Sequence, residues 1–77
     1  MKLAITGGTG SLGGALIAAL ASRSDVTRLV ALSRDEVKSG DLAESWATLS
    51  SLRCMLGDVR DPERLEEVFR GCDAVIH

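Results

Sequence analysis

Four short apolar runs mark the chain at intervals of about 25 residues, Lys2 to Thr6, Arg28 to Ser33, Leu52 to Leu56 and Asp73 to His77, with helical patterns in the gaps. Strands that alternate with helical segments of roughly 10 to 15 residues build βαβ units around a parallel sheet. The runs share no residue signature, so a solenoid of like repeats is excluded. In LAI, LVAL and AVI the apolar residues occupy successive rather than alternate positions, the pattern of strands covered by helices on both faces. Right-handed crossovers fix the hand of each unit.

The first helix is expected from Ser11 to Ser22. Leu12, Leu16 and Leu20, with Ala15 and Ala19, follow helical spacing, while Gly13, Gly14, Ala18 and Ala21 offer a small-residue face that can approach a sheet closely. Leu42, Trp46 and Leu49 point to a second helix between Asp35 and Leu49. Gly40 inside it costs about 1 kcal/mol relative to Ala and is a place where it could split. Trp46 is expected to pack helix against sheet. The third helix is fully punctuated: Asp61 as N-cap, Pro62 at the first helical position, a buried stripe of Leu65, Val68 and Phe69, Arg70 near the negative end, and Gly71 just past it.

Composition removes several function classes. With 45% hydrophobic residues, 26% charged residues and a net charge of -2, the chain is too apolar for disorder and too weakly charged to bind polyanions such as nucleic acid. No apolar run approaches the roughly 18 residues that cross a bilayer, and no signal peptide precedes the first strand, so a cytoplasmic protein without a membrane anchor is expected. Cys54 and Cys72 lack CxxC spacing. They read as small buried hydrophobes in a reducing compartment, with no metal site. A domain of about 60 residues buries only about 60% of its unfolded surface, so stability should be marginal.

The chemistry-bearing signal follows the first strand directly. TGGTGSLG places Gly7, Gly10 and Gly13 in GxxGxxG spacing, with a helix opening at Ser11 or Leu12. Gly7 suits the φ > 0 turn out of the strand, Gly10 lets backbone approach a pyrophosphate, and Gly13 lets helix and sheet pack closely. The N–H groups of Thr9 to Leu12 then face an anion at the positive end of the helix dipole. A glycine-rich turn without ligand is the bland alternative. The strand before and the helix after favour a Rossmann-type site, in a partial parallel sheet of order 3-2-1-4 with helices on both faces.

NAD-preferring sites usually carry Asp or Glu at the end of the second strand. Here Ser33 holds that place, Arg34 follows, and Lys38 lies one helical turn on, a combination suited to a 2′-phosphate and therefore to NADP. Alternatively, Arg34 and Lys38 pair with Asp35 and Glu36 on a solvated helix start. In GDVRD, after the third strand, Asp58 can accept from an adenine amino group and the Val59 backbone can complete the contact. Its alternative is a turn in which Asp58 caps backbone N–H groups. The mixed charges of Glu63, Arg64, Glu66, Glu67 and Arg70 read as a wet helix face, and His77 as a strand-end residue.

With these residues in place, the chain resembles the extended short-chain dehydrogenase/reductases through TGGTGSLG and GDVRD. ITGGTGSLG, SRDE, GDVRDPERL and GCDAVIH together look like the N-terminal part of UDP-N-acetylglucosamine 4,6-dehydratases of the polysaccharide-biosynthesis type. The resemblance implies that Thr9, Gly10, Ser11 and Leu12 hold the pyrophosphate, that Ser33, Arg34, Asp35, Glu36, Val37 and Lys38 receive the ribose and 2′-phosphate, and that Asp58 and Val59 read the adenine. It also implies the reaction: hydride leaves C4 of the sugar for NADP, water is lost across C5 and C6, and the hydride returns to C6. The tyrosine and lysine that such enzymes use as base and orienting cation are expected beyond His77, and this chain has no Tyr. No catalytic residue is therefore assigned. Residues 1–77 are expected to be the truncated N-terminal part of an NAD(P)-binding domain, inactive alone, binding a dinucleotide and meeting a UDP-sugar only in a full-length protein. Self-association stays open. An extended-type epimerase or reductase on another substrate, or a non-catalytic dinucleotide-binding module, are the competing readings.

Overall fold

The apolar runs pair as four parallel strands, β1 (Lys2–Thr6), β2 (Arg28–Ser33), β3 (Leu52–Leu56) and β4 (Ala74–Ile76), in the order β3-β2-β1-β4. The computed structural model describes residues 1–7 and 11–76, the side chains of Ser11 and Leu12 excepted. Helices α1 (Ser11–Ala21), α2 (Glu36–Ser45) and α3 (Pro62–Phe69) make the crossovers. The expected Rossmann-type order is thus present.

β1 and β2 are apolar at successive positions because both of their faces are covered. Leu3, Ile5, Leu29 and Ala31 pack on one face with Ile17 of α1 and, at their margin, Leu42 and Trp46; Ala4, Val30 and Leu32 pack on the other with Val68, Leu65 and Phe69 of α3. The register Leu3↔Leu29, Ala4↔Val30, Ile5↔Ala31 keeps like-facing residues side by side. A slip of one residue would move each apolar set to the opposite face.

Local chemistry sets the helix ends. Asp35, extended at φ −89° and ψ 104°, accepts from the Lys38 N–H as the N-cap of α2, and α2 runs unbroken through Gly40. Asp61 accepts from the Arg64 N–H at the start of α3, with Pro62 in the first turn. Beyond the other end, Gly71 takes φ +76°, and the Lys2 ammonium donates to the Arg70 carbonyl at 3.2 Å.

Three expectations are corrected. The buried face of α1 is centred on Gly13 and Ile17, with Leu16 and Leu20 at its margin, whereas Ala15, Ala18 and Ala19 are exposed. A helix that is apolar all round has no periodic contrast from which its inner face can be picked. The span of α1, Ser11–Ala21, agrees with the expected one of about Ser11 to Ser22, and the Ser22 hydroxyl donates back to the Ala19 carbonyl. β4 begins at Ala74, just after Asp73, whose N–H donates to the Lys2 carbonyl while its carboxylate accepts from the Lys2 N–H; its Ala74 and Val75 are exposed rather than covered on both faces, and His77 lies outside the described residues. Cys54 and Cys72 are free and only half-buried, each against one of the two core clusters.

Gly40 is exposed inside α2, and a Cβ added there meets nothing within 4 Å. Gly40→Ala should raise stability by about 0.5–1 kcal/mol, whereas Gly71→Ala, at φ +76°, should lower it by about 1–2 kcal/mol. Thermal unfolding of the two variants should move in opposite directions.

Candidate functional site

β1, β2 and β3 end together at the carboxyl edge of the sheet, and two backbone bonds carry the ladder one step into the loops. The Gly7 N–H donates to the Leu32 carbonyl at 3.1 Å, and the Gly57 N–H to the Ser33 carbonyl at 3.0 Å. Gly7 then turns at φ +69°, with open space where a Cβ would be. Gly57 has no such room. A Cβ there would stand 2.6 Å from Arg64 Cγ and 3.0 Å from Leu32 Cδ1, so only glycine fits between the end of β3 and α3 without displacing a side chain. Arg64 is itself fastened, its Nε donating to the Leu56 carbonyl at 2.8 Å and its Nη1 to Glu67 at 2.9 Å.

Between these loops lies a cleft of about 410 Å³, within the roughly 300–1,000 Å³ of small-molecule sites. Gly7, Leu32 and Ser33 line it with Arg34 on one side, and Gly57, Asp58, Val59 and Arg60 on the other. Of the residues singled out from sequence, the structure brings Gly7, Ser33, Arg34, Asp58 and Val59 to this one place. Asp35 caps α2, with its own N–H bonded to Ser33 Oγ at 3.1 Å. Glu36 faces a separate groove of about 290 Å³ with Gly40, Cys54 and Leu56, and Val37 and Lys38 are exposed on the first turn of α2. Gly13 is buried on α1. Thr9 and Gly10 lie outside the described residues, as do the side chains of Ser11 and Leu12, whose backbone opens α1.

The electrostatics centre on Asp58. Its Oδ1 accepts from the Arg60 backbone N–H at 2.9 Å, and Arg60 Nε and Nη2 grip the carboxylate at 3.2 and 2.8 Å. Arg34 Nη1 stands 3.8 Å from Oδ2, from the next strand. The Arg60 side-chain bonds, then its backbone N–H, hold the Asp58 carboxyl down at about 2, well below the usual carboxylate range. Asp58 thus caps a turn, as the alternative reading has it, and lines the cleft as an ionised carboxylate. The feared pairing of Arg34 and Lys38 with Asp35 and Glu36 is absent from the ion pairs among the described residues. Leu32, Gly57 and Arg60 line the cleft without having been assigned to it from sequence. Arg60 was legible only as the fourth letter of GDVRD, where its spacing of two from Asp58 is that of a side-chain-capped turn. Among the described residues no group of three or more His, Cys, Asp or Glu could hold a metal ion, and no helix is long and apolar enough to cross a membrane.

The model of the polysaccharide biosynthesis protein family matches residues 3–77. UDP-N-acetylglucosamine 4,6-dehydratase (inverting) of Campylobacter jejuni subsp. jejuni serotype O:2 is 39% identical over 76 residues, covering 99% of this chain and 22% of that protein. UDP-glucose 4-epimerase of Rickettsia massiliae is 36% identical over 78 residues, covering 97% of this chain and 23% of that one. The chain therefore spans less than a quarter of the length of these relatives. Among solved structures, Pen from Bacillus thuringiensis superposes with a TM-score of 0.88 at 24% identity, over 96% of this chain and 22% of its own. A UDP-glucuronic acid 4-epimerase mutant from Bacillus cereus, in complex with UDP-4-deoxy-4-fluoro-glucuronic acid and NAD, does so at 0.77 and 23% identity, over 97% and 25%. These two likenesses are of fold. Since the family match begins inside β1 and runs through β4, the whole βα frame that carries the cleft belongs to the polysaccharide biosynthesis protein family, within the extended short-chain dehydrogenase/reductases.

Proposed function

We propose that residues 1–77 carry the adenosine-side half of an NADP site in a nucleotide-sugar 4,6-dehydratase of the UDP-N-acetylglucosamine type. The observation that carries this reading is the convergence of Ser33 and Arg34, at one strand end, and Asp58 and Val59, at the next, on a cleft beside the positive-φ Gly7. Open space at Gly7 and a pocket of small-molecule size fit a dinucleotide there. Thr9, Gly10, Ser11 and Leu12 would hold the pyrophosphate at the start of α1, with Gly13 setting the approach of helix to sheet. Ser33 and Arg34 would take the ribose and 2′-phosphate, with Asp35, Glu36, Val37 and Lys38 forming the helix start beside them. Asp58 and Val59 would take the adenine. When bound, the nicotinamide supplies the hydride acceptor and donor for the sugar; the residues here would hold the adenosine and pyrophosphate of that dinucleotide. The base that the resemblance implies is a tyrosine, which this chain does not contain, so the activity belongs to a longer protein in this reading.

A second reading keeps the site and changes the reaction to 4-epimerisation of a UDP-sugar, favoured by the relative that is 36% identical. Mass spectrometry of the product separates them: dehydration removes one water, and epimerisation leaves the mass unchanged.

Arg34→Ala should weaken NADPH binding by about 1.5–3 kcal/mol, the scale of a hydrogen bond to a charged group, and NADH binding far less. Parallel calorimetric titrations check this, and equal losses would remove Arg34 from the phosphate contact. The Asp58 carboxyl, followed by carbon NMR, should titrate near 2, and Arg60→Ala should return it toward the ordinary carboxylate range. Because the folded value is the lower one, the stabilising effect of this contact is complete above the unfolded carboxylate range and is lost as pH falls toward 2.

A further inference from the structure

The cleft holds two arginines and one carboxylate, and the way they share it has a consequence for cofactor choice. Arg60 Nη2 lies 2.8 Å from Asp58 Oδ2, while Arg34 Nη1 lies 3.8 Å from the same oxygen, within ion-pair range but beyond a hydrogen bond. The grip of Arg60 is local. It sits two residues from Asp58, its backbone N–H is already bonded to Oδ1, and its guanidinium adds a fork that a carboxylate matches. Arg34 has to reach from the neighbouring strand end. Both arginine side chains are largely exposed, 71% for Arg34 and 76% for Arg60, so either is free to change partner.

We propose that Arg60 is a positioning residue for NADP selectivity: by occupying Asp58 it prevents that carboxylate from capturing Arg34, and so keeps the Arg34 guanidinium available to a 2′-phosphate. The inference rests on the reading of Arg34 given above. Without Arg60, the only cation left beside Asp58 among the described residues is Arg34, which would close to hydrogen-bond distance. An incoming phosphate would then have to break that pair. Adenine is common to NADPH and NADH, so any loss of base recognition cancels in the ratio of their affinities, and the ratio isolates the phosphate.

The test measures NADPH and NADH dissociation constants by calorimetry at one low ionic strength, for the chain itself and for Arg34→Ala, Arg60→Ala, Asp58→Asn and the double variant Arg60→Ala with Asp58→Asn, each shown to be folded by circular dichroism. Arg60→Ala should lower the NADPH preference by about three- to fivefold, the scale of an exposed ion pair. The double variant should restore it, because the competing carboxylate is gone. In Arg60→Ala without dinucleotide, the nitrogen-15 side-chain signal of Arg34 should become protected from solvent exchange, and in the double variant it should not. An unchanged preference in Arg60→Ala, a preference that the double variant fails to restore, as it would if Arg60 touched the phosphate itself, or an Arg34 signal indifferent to Arg60 each overturns the proposal. Where Arg60 is too firmly part of the loop for alanine, Arg60→Gln gives the same comparison. Failure of the unaltered chain to bind either dinucleotide, or an Arg34→Ala variant with unchanged preference, overturns the reading of the cleft beneath it and the proposal with it.

Discussion

Everything at the carboxyl edge depends on β2. It pairs with β1 from Arg28 to Leu32 and with β3 from Leu29 to Ser33, and its last two carbonyls, Leu32 and Ser33, accept from Gly7 and Gly57 after those strands have ended. Two loops from different parts of the chain are thereby pinned at their first residue to neighbouring points on one strand. Backbone hydrogen bonds of this kind have little individual effect on stability, about 1 kcal/mol net, but they are directional, and direction is what a site needs. The backbone brings Arg34, Asp58 and Arg60 within reach of one another before any side chain contributes.

Both sides of that strand are closed by apolar packing, which is why the strands were so plain in the sequence. Leu29 and Leu32 are fully buried on opposite faces, and such positions tolerate only apolar residues. The cap of α3 was legible for a related reason: Asp61 stands three residues before the N–H it accepts from, a relation fixed by helix geometry alone. The face of α1 was not legible, because Ala and Leu surround that helix on every side. Neither was the start of β4, where Asp73 meets Lys2 through its own N–H and through its carboxylate, a side-chain contact that apolar patterning does not report. In the site, the strand-end positions Ser33, Arg34 and Asp58 could be read from spacing, since parallel strands end at one edge. Arg60 could be read only as a neighbour of Asp58 in one loop, whereas the approach of Arg34 to the same carboxylate is a tertiary meeting of two loops.

The contacts among the charged groups of the cleft contribute little to folding. Exposed ion pairs stabilise by about 0–1 kcal/mol, and the core rests on Ile5, Ile17, Leu29 and Leu32 instead. A cluster that folding does not require, at a place where three strands end, is free to be shaped by what binds there. Its composition is selective. Two carboxylates stand close to the strand ends, and each is already engaged by donors: Asp35 by the Lys38 N–H that it caps, Asp58 by Arg60. A carboxylate so engaged has lost much of its appetite for a further cation, whereas a guanidinium held at 3.8 Å has not lost its appetite for an anion.

The chain as a whole carries a net charge of -2, so no general attraction draws an anionic ligand to it. Any attraction must be local, and within a Debye length of about 8 Å at physiological salt only the nearest charges count. Over that distance the cleft lining presents Arg34 and Arg60 against Asp58, with the Asp35 carboxylate next to Arg34 turned to the cap of α2. Acidic surroundings and a cleft lined by two guanidinium groups favour an anion that can reach into the cleft over one that merely approaches the protein. That is a requirement for reach and shape as much as for charge, and the open space where a Cβ of Gly7 would be is suited to it.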